Sequence, residues 1–379
     1  MKIAIAKKLV SSVGGSELQA RVLAHALAAR GHDVVVVGMR PAWPRPGIPS
    51  SAVLRRDGGI VRQEDGAVAF AYLPPRAGRL GSAIEGVLPT DLAQSAGIAE
   101  AVAGRDVVHV LAREWARSYE TAARRIGAAF VETPLVHPGQ PFSGGGRADL
   151  ARYRRDDAVI ALTEWEAGWY RDRGVERVHV TGVGPVIGEV PRVEPDPATI
   201  LFVGRKERYK GYHALRAAAP LVWRARPDAR FVVIGQRSWR DRWSAKGDPR
   251  WIELGVVDED AKAEAYARAT VLAMPSEHET FGHTYLEAWS AGRPVIAGDI
   301  PPLREVVREG VDGLHARNDP RAIAEAILRI LGDPGAARRM GEAGRESLRA
   351  RWTWEGIAER TEKVYEAALA RSRAAIGYR

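Results

Sequence analysis

The chain has 379 residues, 46% hydrophobic and 27% charged, a length that suits two domains better than one core and a balance ordinary for a globular protein. It contains no cysteine, which excludes disulfides, thiolate metal sites and a cysteine nucleophile. A net charge of +9 favours anionic partners, yet the basic excess is spread evenly along the chain and no known nucleic-acid module is visible, so nucleic acid is not an expected partner.

The opening Met1-Lys2-Ile3-Ala4-Ile5-Ala6 reads as a short strand and not as a signal peptide. No apolar run approaches the roughly 18 residues of a spanning helix, so a cytoplasmic protein is expected. Strands are expected at residues 2–6, 33–37, 68–72, 107–111, 129–132 and 158–162, with amphipathic helices between them, which implies a parallel sheet covered on both faces. At the first strand–helix junction Ser11-Ser12-Val13-Gly14-Gly15-Ser16-Glu17 leads into a helix over 18–30. Gly14 and Gly15 let the backbone approach a diphosphate at the helix start, and a plain tight turn explains the pair equally well. The third glycine of a dinucleotide fingerprint is absent. Arg76 and Arg79 precede an apolar-leaning stretch, 80–98, where peripheral contact with the inner face of an anionic membrane competes with an ordinary surface loop and helix.

The fourth strand contains His109 and runs into Leu111-Ala112-Arg113-Glu114; the fifth runs into Thr133-Pro134-Leu135-Val136-His137-Pro138, which sets His137 on a loop facing the expected cleft. Trp115 and Ser143-Gly144-Gly145-Gly146 are expected to border the acceptor side. Glycine and proline interrupt every periodic pattern over 182–191, which marks a linker and gives domains 1–187 and 188–353, with a last helix, 354–379, opening at Trp352-Thr353-Trp354.

A second strand series follows at 199–203, 230–234, 252–254, 271–274 and 294–297. The first of these strands ends in Gly204-Arg205-Lys206-Glu207-Arg208-Tyr209-Lys210-Gly211, the second in Gly235-Gln236, and the third in Leu254-Gly255-Val256-Val257-Asp258. The fourth leads into Ser276-Glu277-His278-Glu279-Thr280-Phe281-Gly282-His283-Thr284-Tyr285-Leu286-Glu287, with helix read over 286–291 and stopped by Gly292 and Pro294. The order strand, loop, helix sets Glu279 at a strand's carboxyl end and Glu287 one turn inside the helix, where both can face one ligand. The amides of Gly282, His283 and Thr284 lie between them, open to phosphate or sugar oxygens.

The segment from Glu279 to Glu287, with Ala291-Gly292-Arg293-Pro294-Val295-Ile296-Ala297 after it, resembles the signature of the retaining glycosyltransferases of family 4, the glycosyl transferases group 1. That resemblance implies the GT-B fold, α/β with two doubly wound Rossmann-like domains facing across a cleft, in which the last helix crosses back to the first domain. It implies that Glu279 contacts the donor sugar, Glu287 holds the ribose hydroxyls, and Arg205 and Lys210 clamp the diphosphate beside Gly204. Fixed cations there stabilise the charge that develops on the leaving phosphate. The Gly14-Gly15 pair matches the family's loop after the first strand. Gly235, and backbone groups around Val257, match its base-reading edge, for which ordinary loops are an equal account. Phe281 belongs to the same donor-binding turn. The chain departs from the family where a histidine commonly follows the fourth strand, so His137 is preferred over His109 for a sugar or acceptor contact.

No Asp-x-Asp pair stands at a strand end where it could hold a divalent ion beside a diphosphate, and the nine histidines show no helical metal spacing, so a metal-independent reaction without cofactor is expected. The expected partners are a nucleoside-diphosphate sugar and a hydroxyl acceptor that the sequence does not identify. The competing readings are a nucleotide-sugar epimerase on the same fold, a glycoside hydrolase using Glu279 and Glu287 as acid and nucleophile, and a non-catalytic sugar-binding scaffold.

Overall fold

A computed structural model of the chain describes residues 1–11, 14–54, 59–75, 80, 83, 97–140, 143–236 and 248–377. It forms two compact units, one of Met1–Val183 with Trp354–Arg379, the other of Gly184–Thr353.

The first unit is built on β1 (Lys2–Ala6), β2 (Asp33–Met39), β3 (Val61–Asp65), β4 (Val68–Leu73), β5 (Val107–Leu111), β6 (Ala129–Thr133), β7 (Ala158–Ala161) and β8 (Val178–Val180). They lie side by side in the order β3-β4-β2-β1-β5-β6-β7-β8, parallel except for the β3–β4 hairpin. Alternate residues of the central strands enter separate apolar layers. Ile3, Ile5, Val34 and Val36 pack with Leu23 and Leu27, while Ala4, Ala6, Val35 and Val37 pack with Val110, Tyr119 and Phe130. This double burial is why the strands read as unbroken apolar runs. The terminal helix, Trp354–Gly377, belongs to the first layer through Ile357, Ala358, Val364, Tyr365 and Ala368.

The second unit holds β9 (Thr199–Val203), β10 (Arg230–Ile234), β11 (Trp251–Gly255), β12 (Val271–Met274), β13 (Val295–Gly298) and β14 (Gly313–Ala316), all parallel, in the order β11-β10-β9-β12-β13-β14. The chain builds outward from β9 to β11 and then returns to the other side of β9 to lay down β12. Connections leaving the carboxyl ends of β9 and β12 therefore diverge, and the gap between them is the crevice in which open α/β sheets bind ligands.

Three strands lie outside the sequence expectation. β3 is a solvent-facing edge with the sequence Val-Arg-Gln-Glu-Asp, so it lacks an apolar signature; its marker was the Asp65-Gly66 turn, with Gly66 at φ +58°. β8 and β14, Val-His-Val and Gly-Leu-His-Ala, are each broken by a histidine and so carry no continuous apolar run. Helix starts also moved: the first runs from Gly15 to Ala29 and the one after the acidic loop from His283 to Ser290, each beginning three residues before its apolar pattern does. The stretch expected to touch a membrane falls almost wholly outside the described residues. Among the described residues no helix is long and apolar enough to cross a membrane.

The first unit encloses a set of buried charges. Glu132, at the end of β6, is fully buried and receives two bonds of 2.9 Å from Arg152, which also pairs with Asp149 at 3.2 Å. Asp156 is buried beside it, and among the described residues no N–H or O–H reaches either of its carboxyl oxygens. Burial, reinforced by the negative charge of Glu132, pushes the Asp156 carboxyl well above the usual range, which favours its protonated form. A carboxyl raised on folding stabilises the fold below its folded pKa and loses that contribution as pH rises through it. Asp156→Asn, which supplies an N–H and cannot ionise, should therefore raise the thermal unfolding midpoint more at pH 9 than at pH 6. An equal shift at both values would show that Asp156 is ionised in the folded chain.

Candidate active site

The clamp loop follows β9 and the acidic loop follows β12, so the topology puts both at the second unit's crevice. After Gly204 the chain carries Arg205, Lys206 and Glu207, makes a single 3-10 turn over Arg208–Lys210, and enters the helix Tyr212–Ala225 at Gly211. Gly211 has φ +79°, and a Cβ there would lie 2.6 Å from the Pro275 carbonyl oxygen. Only glycine lets the clamp loop lie this close to the end of β12. The two loops are then joined directly: the Glu277 N–H donates to the Tyr209 carbonyl at 2.7 Å, and the Lys210 ammonium is paired with the Glu279 carboxylate. Tyr209 lies between the two cations, its ring 5.3 Å from Lys210 Nζ and 5.7 Å from the Arg205 guanidinium. Arg205, 65% exposed and paired with Glu207 at 3.2 Å, projects outward, whereas Lys210 is nearly covered.

Gly282, at φ +91°, opens the helix His283–Ser290. Among the described residues the N–H groups of Gly282, His283 and Thr284 donate to no protein acceptor, which leaves the positive end of this helix unoccupied beside Glu279. His283 donates from Nδ1 to the Gly184 carbonyl at 3.0 Å, and burial lowers its pKa, so the ring is neutral at pH 7 with Nε2 as a bare acceptor. Glu287 is buried, takes the Tyr266 hydroxyl at 2.6 Å and lies 3.7 Å from Lys262 Nζ. Phe281 is buried too, edge-on to Trp352 with centroids 4.8 Å apart, so its side chain anchors the turn.

At the far side of the crevice Gly204, Gly235 and Gly255 meet backbone to backbone. Gly204 N–H donates to Ile234 and Gly235 N–H to Gly255, at 3.0 and 2.7 Å. Gly235 has φ +142°, and a Cβ on it would fall 1.9 Å from the Gly204 carbonyl oxygen. Val257 follows, half-buried, one residue before Asp258 caps the helix Glu259–Arg268.

The first unit corrects two expectations. His109 is 1% exposed and both its ring nitrogens are used, by the Tyr365 hydroxyl at 2.8 Å and the Thr133 hydroxyl at 2.7 Å. Burial pushes its pKa down to about 3, so it is a neutral packing residue with nothing left to offer a sugar. Trp115 is likewise buried, in the layer with Tyr119 and Phe130, and does not border a ligand. In the place after β5, Ala112 and Trp115 both take left-handed φ, +64° and +63°, around Arg113 and Glu114. Burial raises the Glu114 carboxyl, but Lys7, 3.3 Å away, and Lys8 outweigh it and hold the group below its usual range. His137 is half-buried on the loop after β6 and its carbonyl takes the Ser143 hydroxyl at 2.7 Å. Gly14 and Gly15 sit at the start of the first helix, where the Gly14 carbonyl accepts from Glu17 and Leu18; Ser12 and Val13 lie outside the described residues.

Comparison with known proteins agrees with this geometry in both units. Residues 187–347 match the family model described as Glycosyl transferases group 1, and residues 14–185 match the Glycosyl transferase 4-like domain. The chain belongs to the group 1 glycosyl transferases of family 4. Glycogen synthase of Mycobacterium tuberculosis is 26% identical to this transferase over 94% of the chain and 92% of its own length. D-inositol 3-phosphate glycosyltransferase of Segniliparus rotundus is 32% identical over 66% of the chain and 60% of its own length. Among solved structures, sucrose-phosphate synthase from Thermosynechococcus elongatus superimposes with a TM-score of 0.76 at 22% identity, covering 98% of this chain and 99% of that one. Anabaena Alr3699/HepE, in complex with UDP-glucose, gives 0.68 at 16% identity over 97% of this chain and 98% of that one. The fold is GT-B, and this group 1 transferase is an enzyme.

Sequence reasoning missed Tyr266, which holds Glu287, and the Lys206–Glu253 pair behind the clamp loop. Spacing carried no signal for either, because the partners lie 21 and 47 residues apart. The backbone contact at Gly235 gives a direct check. Gly235→Ala should destabilise the second unit by about 2–4 kcal/mol, since strand ends would have to separate to admit the methyl group. Urea denaturation of the variant measures this, and an unchanged midpoint would mean that the two strand ends are not in contact.

Proposed function

We propose that this group 1 glycosyl transferase binds a nucleoside-diphosphate sugar along the carboxyl edge of β9 and β12 and transfers the sugar, with retention at the anomeric carbon, to an acceptor hydroxyl. The observation that carries the reading is the contact of Lys210 with Glu279. A cation suited to a diphosphate and a carboxylate suited to sugar hydroxyls meet at the one place where the phosphate–sugar bond has to lie. Arg205 adds a planar fork toward the phosphates. The open amides of Gly282, His283 and Thr284 add fixed dipoles, and Glu287, oriented by Tyr266, takes the ribose hydroxyls. Gly204, Gly235 and the backbone at Val257 shape the base edge.

The bond from the anomeric carbon to the phosphate oxygen loosens into an oxocarbenium-like state, and its electron pair leaves with the phosphate. The acceptor oxygen attacks the same face and gives its proton to the departing phosphate. Glu279 orients the sugar and offsets the positive charge of that state, while Arg205 and Lys210 offset the negative charge on the leaving group. These contacts strengthen as charge separates, which is the condition for lowering a barrier rather than only binding substrate. A hydrolase reading gives Arg205, Lys210 and the open amides no role.

Lys210→Ala and Arg205→Ala should each lower turnover of a nucleotide-sugar donor by ~100-fold, as when a charge-stabilising group is lost; unaltered steady-state kinetics would remove the clamp assignment. Calorimetry separates the carboxylates: Glu287→Ala should weaken binding of the free nucleoside diphosphate, and Glu279→Ala mainly that of the intact donor. Equal losses for both ligands in both variants would contradict this division. Because protein groups supply the positive charge, activity should persist in excess chelator, and a complete loss that returns with magnesium or manganese would overturn the metal-independent mechanism.

A further inference from the structure

The clamp loop carries a third cation that points the other way. Lys206 follows Arg205, yet its side chain is 0% exposed and its ammonium lies 2.8 Å from Glu253 on β11. The other oxygen of Glu253 accepts the Tyr212 hydroxyl at 2.6 Å and the Trp251 indole N–H at 3.1 Å. Burial works against ionisation of Glu253, but the bonds from Lys206, Tyr212 and Trp251 outweigh it and hold its pKa at about 2, so the carboxylate stays charged at any pH where the protein works.

The placement of these groups matters more than their number. Lys206 stands at the start of the clamp loop, one residue past Arg205, and Tyr212 stands at its end, two residues past Lys210. One carboxylate on β11 thus grips both ends of the 206–212 segment, which has Arg205 immediately before it and Lys210 within it. Lys206 reaches it across β10, and its ammonium lies 5.7 Å from the Tyr212 ring centroid. A buried ion pair gains little stability over apolar side chains of the same volume, because removing both charges from water costs about as much as their attraction returns. What the pair does supply is direction. It fixes which residues of the loop turn inward and therefore which turn toward a ligand.

We propose that Lys206 and Glu253 are positioning residues, which hold the loop in the one register that aims Arg205 and Lys210 at the donor diphosphate. The proposal rests on the donor reading above. It goes beyond that reading in assigning the geometry of the clamp to a pair that touches no substrate.

The test titrates uridine, adenosine and guanosine diphosphates, and the corresponding nucleosides, by calorimetry into the wild-type chain, Lys206→Met, and the double variant Lys206→Met/Glu253→Gln. The temperature is kept below every unfolding midpoint. Glu253→Gln keeps an acceptor for Tyr212 and Trp251 while removing the charge that Lys206→Met would strand, so the double variant should unfold close to wild type. For the nucleotide bound best, both variants should lose about tenfold in diphosphate affinity with nucleoside affinity unchanged, since the lost contribution is that of the clamp alone. A double variant that binds the diphosphate like wild type would overturn the proposal, as would equal losses for nucleoside and diphosphate, which mark a general structural role. A wild-type chain that binds none of the three diphosphates would sink the donor reading and this inference together.

Discussion

The second unit depends on one constraint, the contact between the loop after β9 and the loop after β12. Each loop begins at a strand end that the parallel sheet places, and the clamp loop is held from β11 as well, by Glu253. They are held by each other, through the Glu277 N–H on Tyr209, the Lys210–Glu279 pair, and the absence of a side chain on Gly211 where Pro275 comes close. Opposite charges that would each be costly to leave half-covered are satisfied by this contact before any ligand arrives. A ligand that brings both a diphosphate and a polyhydroxylated ring can replace that mutual satisfaction group by group. A ligand with only one of the two leaves a buried charge without its partner.

Charge placement follows the same logic at three depths. Arg205 is at the surface, Lys210 is nearly covered, and Lys206 is fully enclosed, although the three lie within six residues of sequence. Composition describes them as one basic cluster. The fold separates them into an outward cation, a bridging cation and an anchor.

Much of this was legible beforehand. The strands of both sheets read clearly because burial on two faces leaves a continuous apolar run, and the order strand, loop, helix was enough to put Glu279 and Glu287 on one crevice. The resemblance carried by the Glu279–Glu287 segment named the family correctly. What the sequence hid were properties of neighbours remote in the chain. His109 looked available because it stands near a strand end, and only Thr133 and Tyr365, which close over both nitrogens, make it a packing residue. Trp115 looked like a cleft aromatic and is core. Lys206 stands between the two expected clamp cations, and nothing in its spacing tells which way it turns. Edge strand β3 was missed because its residues face solvent and so carry no apolar pattern, although its turn was visible.

The terminal helix has a consequence for how the chain comes to be folded. Tyr365 bonds His109 across a sequence separation of 256, and Ile357, Val364 and Ala368 fill the same apolar layer as Ile3 and Ile5. The first unit therefore cannot close its core until the helix Trp354–Gly377 has been made. The second unit is contiguous and holds all its strands between β9 and β14, so it has no such wait. The strands of the first unit leave the ribosome before those of the second, but completion runs in the opposite order, and a chain that stops short of the helix Trp354–Gly377 has a first sheet with part of one apolar face still uncovered.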